Sequence, residues 1–234
     1  KNPRWPLIGN EHIIDHLDKL LEKENLSGTY IFLGPQNMGK TTLAYSLAQN
    51  VMCESRGKGK EFPCGECSAC SQLRQLNTEE GQEGFGVLHG DLHVIKKDPG
   101  KKNISIEQVR EFIKTLGMSS FLNSYKIGVI KDADKLGTEA ANALLKTLEE
   151  PKQKVMVILI ASELESIPDT IASRSQVLKF SPVQTSVLYD HLLEKYNIDR
   201  GVAKELSHLS LGRPALARKF LEDKEFYEEY MSRA

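Results

Sequence analysis

The sequence predicts an α/β fold, a parallel sheet sandwiched by helices, with a small metal-binding insertion and an all-helical C-terminal part. Three observations carry this. Short, near-continuously apolar runs alternate with amphipathic stretches, as in strands buried on both faces of a parallel sheet. One of those runs opens directly into Gly34-Pro35-Gln36-Asn37-Met38-Gly39-Lys40-Thr41, a phosphate-binding pattern whose proper context is strand before and helix after. Beyond Ser181-Pro182 the strand pattern stops and only helical periodicity remains.

In chain order, Ile13, Leu17, Leu20 and Leu21 share one helical face, and Tyr30–Leu33 is the first strand. Leu43, Leu47, Ala48 and Val51 give a helix after the loop lysine. The Gly- and Glu-rich stretch from Glu79 to Gly90 reads as a surface loop, followed by a strand at Leu92–Ile95. Ser105 with Gln108 forms a capping box that opens a helix through Leu116. A strand at Lys126–Ile130 precedes a helix at Thr138–Glu149, which Pro151 terminates. Val155–Ile160 and Val177–Phe180 complete the sheet. Val183–Tyr196, Asp199–Leu209 and Pro214–Tyr230 are three expected helices, divided by Asn197 and by Gly212-Arg213-Pro214. The expected division is a nucleotide-binding domain over 1–182, carrying a metal module at about 53–70, and a helical domain over 183–234.

Composition narrows the function classes. A net charge of −1 over 234 residues gives no global basic field for nucleic acid. The longest apolar run, Val155–Ala161, is far too short to span a bilayer. The N-terminal residues lack the apolar core of a signal peptide, and the absence of an initiator Met suggests a trimmed chain. The expectation is a cytoplasmic protein without membrane contact, in which reduced cysteines serve as metal ligands rather than disulfides.

Two motifs carry the chemistry. In the phosphate loop, Gly34 and Gly39 let backbone N–H groups turn inward around phosphate oxygens, and the following helix N-terminus adds positive charge. The expected ligand is ATP or ADP with Mg²⁺: Lys40 would neutralise β- and, in ATP, γ-phosphate charge, and Thr41, followed by Thr42, would reach Mg²⁺. Asp132, after the strand Lys126–Ile130, is the expected carboxylate partner of that Mg²⁺. The alternative is that Asp132 and Asp134 only begin a helix. Ala133 stands where hydrolysing relatives of this architecture carry a water-orienting Glu, and Asp134 would point elsewhere, so weak or no hydrolysis is expected.

The four cysteines, Cys53, Cys64, Cys67 and Cys70, have the spacing C-x10-C-x2-C-x2-C. Closely spaced thiolates suit a closed tetrahedral Zn²⁺ site with a structural role. An iron–sulfur cluster or two disulfides are the alternatives. Arg56 to Lys60 is the expected flexible tip between ligands. Lys96-Lys97 and Lys101-Lys102 could touch DNA phosphates or simply form a solvated loop, and the histidines show no metal spacing.

Asp132-Ala133-Asp134-Lys135-Leu136, followed by Ala140 through Pro151, resembles the signature of bacterial clamp-loader subunits, AAA+ proteins of the DNA polymerase III holoenzyme. Ser173-Arg174-Ser175 is similar to their Ser-Arg-Cys motif, with Ser175 in the cysteine's place, and the Cys₄ module after the phosphate-loop helix matches too. The resemblance implies an AAA+ module with a helical lid. Ala133 turns it toward the delta-prime branch, a stator that offers an arginine in trans to a neighbouring motor's ATP. Carried over, Arg174 is that finger; the bland alternative is a local salt bridge. Implied partners are gamma/tau and delta subunits, the sliding clamp and, indirectly, primed DNA. A gamma/tau-like motor ATPase and a nucleotide-free scaffold are the rival readings. The family's C-terminal collar domain is not among these 234 residues, and Arg213 lies near the place of a nucleotide-sensing arginine.

Overall fold

The computed structural model describes residues 4–58, 61–74, 86–120, 125–149 and 154–233. Residues 59–60 of the expected tip, 79–85 of the expected loop, and the helix-terminating Pro151 lie outside the described residues. The strands are β1 Gly28–Leu33, β2 Gly86–His89, β3 Leu92–Ile95, β4 Lys126–Ile130, β5 Val155–Ala161 and β6 Ser175–Lys179. They form one sheet in the order β2-β3-β4-β5-β1-β6. Five strands are parallel, and β2 pairs antiparallel with β3 at the edge.

That edge strand corrects the expected loop over 79–90. Gly86–His89 is only four residues long and hairpins onto β3 through Gly90-Asp91. So short a segment owes its extended form to pairing with its neighbour, which local propensity does not report.

The helices are α1 Glu11–Glu22, α2 Lys40–Met52, α3 Ser68–Arg74, α4 Ile106–Leu116, α5 Thr138–Glu149, α6 Asp169–Ala172, α7 Thr185–Tyr196, α8 Arg200–Leu209, α9 Pro214–Glu222 and α10 Lys224–Arg233. Alternation along the strands divides them between the two faces of the sheet. Tyr30, Phe32, Ile127, Val129 and Ile158 pack with α1 and α2. Ile31, Leu33, Ile130, Val157 and Leu159 pack with α4 and α5. The capping box of α4 is formed in both directions: Gln108 N–H donates to Ser105 Oγ at 3.3 Å, and Ser105 N–H donates to Gln108 Oε1 at 3.0 Å.

Leu188, Leu192, Ala203, Leu206, Leu216, Ala217 and Phe220 form a third apolar cluster among the C-terminal helices. The single helix expected over 214–230 is two. Asp223 breaks it, because its Oδ1 accepts the Phe226 N–H at 2.9 Å and caps α10. The bend folds Phe226 and Tyr230 back onto Phe220, at ring separations of 5.8 and 4.9 Å. Backbone bonds tie this region to the rest: Val183 N–H donates to Gly212 O at 2.8 Å, and Ala215 N–H donates to Asn37 O at 3.0 Å. No described helix is long and apolar enough to cross a membrane.

Candidate functional site

The phosphate loop leaves β1 at Leu33 and enters α2 at Lys40. Gly34 and Gly39 have φ of +149° and +86°, values that L side chains resist. The loop borders a cavity of about 290 Å³ whose walls include Gly39, Lys40, Thr41, Thr42, Asp132 and Asp134. Five of the expected nucleotide residues therefore converge. Gly34 does not line the cavity. A Cβ there would sit 2.6 Å from the Phe180 carbonyl oxygen, so its glycine lets the loop pass against the end of β6.

Lys40 is only 6% exposed, and its ammonium donates to the carbonyls of Gly34 and of Pro35, the latter at 2.7 Å. Burial lowers its pKa to about 8, with Asp134 and then Asp132 opposing the shift. A bound polyphosphate would raise that pKa again. Because the complex then has the higher pKa, binding is strongest below the free value and is lost as pH rises through the bound one. We expect nucleotide affinity to be flat up to about pH 8 and to fall up to tenfold per unit above it, with about half a proton taken up per nucleotide near pH 8. Calorimetry in buffers of different ionisation enthalpy measures this directly. A profile unchanged by Lys40→Ala would contradict the assignment.

The carboxylate side of the cavity differs from expectation. Asp134, expected to point elsewhere, lines the cavity and is the stronger of the two carboxylates acting on Lys40. Ala133 is fully buried in the core with Ile130 and Ala141, so its side chain does not face the phosphates. The tight turn explains both: Asp132 is left-handed at φ 51°, and residues 133–135 form a 3₁₀ turn that swings Asp134 back toward the loop. Lys131 and Lys96 also line the cavity, as does Ser162 after β5. Lys131 was legible in principle, since it continues the alternation of Ile127 and Val129. Lys96 belongs to a stretch whose sequence suggests a solvated or DNA-facing loop, and its place on the cavity wall depends on β3 ending beside β4.

A second cavity, about 230 Å³, shares Met38, Gly39, Thr42 and Ala215 with the first and adds Leu7, Tyr196 and Arg218. It has the position and the mixed apolar and cationic lining that a base and ribose require. Arg213 belongs to neither wall; its Nε donates to Ser210 O at 3.1 Å. Ala215 is the residue that meets the phosphate loop there.

Arg174 lies far from this cavity. It immediately precedes β6, whose Ser175 pairs with Thr29 and whose Lys179 pairs with Leu33. The phosphate loop starts after Leu33, about 20 Å away along the strands. The Arg174 side chain is 40% exposed, pairs with Glu149 Oε1 at 3.1 Å, and donates to Thr170 O at 2.9 Å.

The four cysteine sulfurs lie within 4.8 Å of one another, and all four thiols are free. Cys53 closes α2, Cys64 and Cys67 lie on the connecting turns, and Cys70 is in the first turns of α3. Backbone N–H groups of Cys64, Cys67 and Cys70 donate to Cys53, Cys64 and Cys67 sulfur at 3.4, 3.4 and 3.5 Å. Backbone N–H groups of Cys67 and Glu66 pull the Cys64 thiol down to about 6, while burial pushes the Cys70 thiol up. Four sulfurs around a tetrahedral ion would be about 3.8 Å apart, so this set is close to a closed Cys₄ shell and fits a metal.

A family model described as DNA polymerase III, delta subunit, matches residues 9–184. The DNA polymerase III subunit delta' of Bacillus subtilis is 32% identical over 191 residues, 81% of this chain and 53% of its own length. The tau subunit of the same organism is 30% identical over 182 residues, 78% of this chain and 30% of its own. Among solved structures, a point mutant of Thermotoga maritima RuvB covers 92% of this chain and 62% of its own, with a TM-score of 0.59 at 14% identity, a likeness of fold. The chain spans about half the length of the delta' relative, and less of tau.

Proposed function

The chain belongs to the DNA polymerase III delta-subunit family, and from that premise we propose that it acts as a delta-prime-like stator of the bacterial clamp loader. In this reading it assembles with gamma/tau and delta subunits in the cytoplasm and helps load the sliding clamp onto primed DNA. Its own site holds ATP or ADP with little turnover, phosphates in the first cavity and base in the second, beneath a helical lid formed by residues 183–234. The Cys₄ set holds a structural Zn²⁺, which keeps all four sulfurs as thiolates; iron is the competing metal.

One observation carries the stator reading. Arg174 is exposed at the end of the sheet opposite its own phosphate loop, so any nucleotide it serves belongs to a neighbouring chain. A guanidinium there stabilises charge on the transferring phosphoryl group. Its bond to Glu149 is an exposed pair of small energy, which an incoming phosphate can replace. In a loader reconstituted with gamma/tau and delta, we expect Arg174→Ala to slow ATP hydrolysis at the one adjoining site about 10³-fold, with assembly and the chain's own nucleotide affinity unchanged. Single-turnover hydrolysis at wild-type rate would overturn the assignment.

A motor reading draws on Asp134, a cavity carboxylate that could orient water. Vigorous steady-state hydrolysis by this chain, abolished by Asp134→Asn, would favour it over the stator.

A further inference from the structure

We propose that Lys131 takes the place of the divalent cation in this site, so that the chain binds its nucleotide as the metal-free polyanion. The inference rests on the nucleotide reading above and specifies the form of ligand that the site accepts.

The position of Lys131 is set by the sheet. Ile127 and Val129 face α2, whereas Ile130 faces the opposite core. Lys131 extends the same alternation by one step, with its N–H donating to Ile95 O at 2.8 Å, so its side chain leaves the strand on the α2 side. It is 8% exposed. Its ammonium lies 5.4 Å from the centre of the Tyr45 ring, on the helix whose first turn carries Lys40 and Thr41. A cation over an aromatic face in a buried setting is attracted by the negative face of the ring. The same side chain lines the phosphate cavity beside Lys40, Asp132 and Asp134.

The expected Mg²⁺ does not fit this arrangement well. A dication bridging phosphate oxygens to Thr41 and a carboxylate would have to share the cavity with the Lys40 and Lys131 ammonium groups that line it. The residue at the strand end, facing the phosphate loop, is an ammonium rather than a carboxylate. Asp132, the expected ligand, comes one residue later, on a left-handed turn, and is exposed. Lys40, Lys96 and Lys131 outnumber Asp132 and Asp134 on the cavity wall, which suits an anion that brings no metal of its own. Lysine is a compact charge able to neutralise phosphate oxygens. It cannot polarise a water or a leaving oxygen as a metal ion does. The same substitution therefore accounts for nucleotide retention with weak hydrolysis, without appeal to Ala133.

The test is equilibrium binding of fluorescent ADP and ATP to the whole chain, in excess Mg²⁺ and in chelator-free buffer from which Mg²⁺ has been omitted, so that the cysteine site keeps its metal. For the unmodified chain we expect the two Kd values to agree within about threefold. Lys131→Met should weaken binding without Mg²⁺ by about tenfold or more, the loss of one charge-assisted contact. Lys131→Asp should make binding Mg²⁺-dependent, and Lys131→Arg should retain the wild-type insensitivity to Mg²⁺ omission. If a variant fails to fold by circular dichroism, the unmodified chain in the two buffers decides alone. Binding by the unmodified chain that is lost without Mg²⁺ overturns this proposal and leaves the nucleotide reading standing. No binding in either buffer overturns both.

Discussion

Gly34→Val is expected to abolish nucleotide binding, and to destabilise the fold by about 2–4 kcal/mol, the combined scale of backbone strain and overpacking. The residue is held from both sides. Its N–H donates to Ala161 O at 3.2 Å, at the end of β5, while the next bond across the sheet runs from Phe180 N–H to Leu33 O at 2.7 Å. Phe180 is 1% exposed and packs against Phe32 at 5.5 Å. A side chain at residue 34 meets the Phe180 carbonyl at 2.6 Å and needs a φ that β-branched residues do not adopt. Relief requires the loop to lift away from β6, and that displaces the N–H groups of residues 36–40 from the phosphates. Gly39→Ala is the milder comparison, because its Cβ meets only Leu7 at 3.5 Å and the strain there is conformational alone. Thermal melts paired with nucleotide titrations separate the two contributions. A Gly34→Val chain with wild-type affinity and melting temperature would show that the β6 contact does not position the loop.

Removing the metal, or replacing Cys70 by Ser, is expected to lower stability by at least about 3 kcal/mol, because metal affinity at such a site is folding free energy. Cys70 is fully buried, and its neighbours Ala69 and Leu73 on α3 belong to the same core as Leu43 and Leu47 of α2. The ion would thus join the end of α2, at Cys53, to the start of α3. The N-terminal segment leans on the module as well, since the Arg4 guanidinium lies 4.2 Å from the Phe62 ring and donates to Phe62 O at 3.2 Å. Without a cation, burial holds Cys70 as a thiol while Cys64 tends to a thiolate, so the shell lacks the charge balance that it needs. Elemental analysis should give one zinc per chain. After chelation, limited proteolysis should cut first between residues 53 and 74. Nucleotide affinity should change only a few-fold, because phosphates meet the opposite end of α2. A metal-free chain with unchanged melting temperature and protease resistance would overturn this expectation.

Local chemistry was readable from the residues themselves. The glycines and Lys40-Thr41 of the phosphate loop, the cysteine spacing, the Ser105–Gln108 capping box and the apolar runs each depend on neighbours a few positions away. Five of the six strands and the first core helices follow from such patterns. What escaped was set by partners distant in the chain. β2 exists because β3 pairs with it. The break at Asp223 is the exception: its cause is a local cap on Phe226 N–H, which the continuous apolar pattern over 214–230 conceals. The family signature drew attention to Ala133, yet a 3₁₀ turn buries that residue and brings Asp134 to the cavity in its place.

The sequence alone determined the class of fold, the presence of a phosphate loop and a thiolate cluster, and the resemblance to clamp-loader subunits, because periodicity and motif spacing are properties of short segments. Tertiary structure alone decided which charges meet inside the cavity. Lys96, Lys131 and Asp134 reach it only after three strands and a turn have been laid side by side, and Arg174 is separated from it by the length of the sheet. Electrostatics acts through space, so the sign and spacing of charges around a ligand are fixed by packing between segments that the chain order keeps apart.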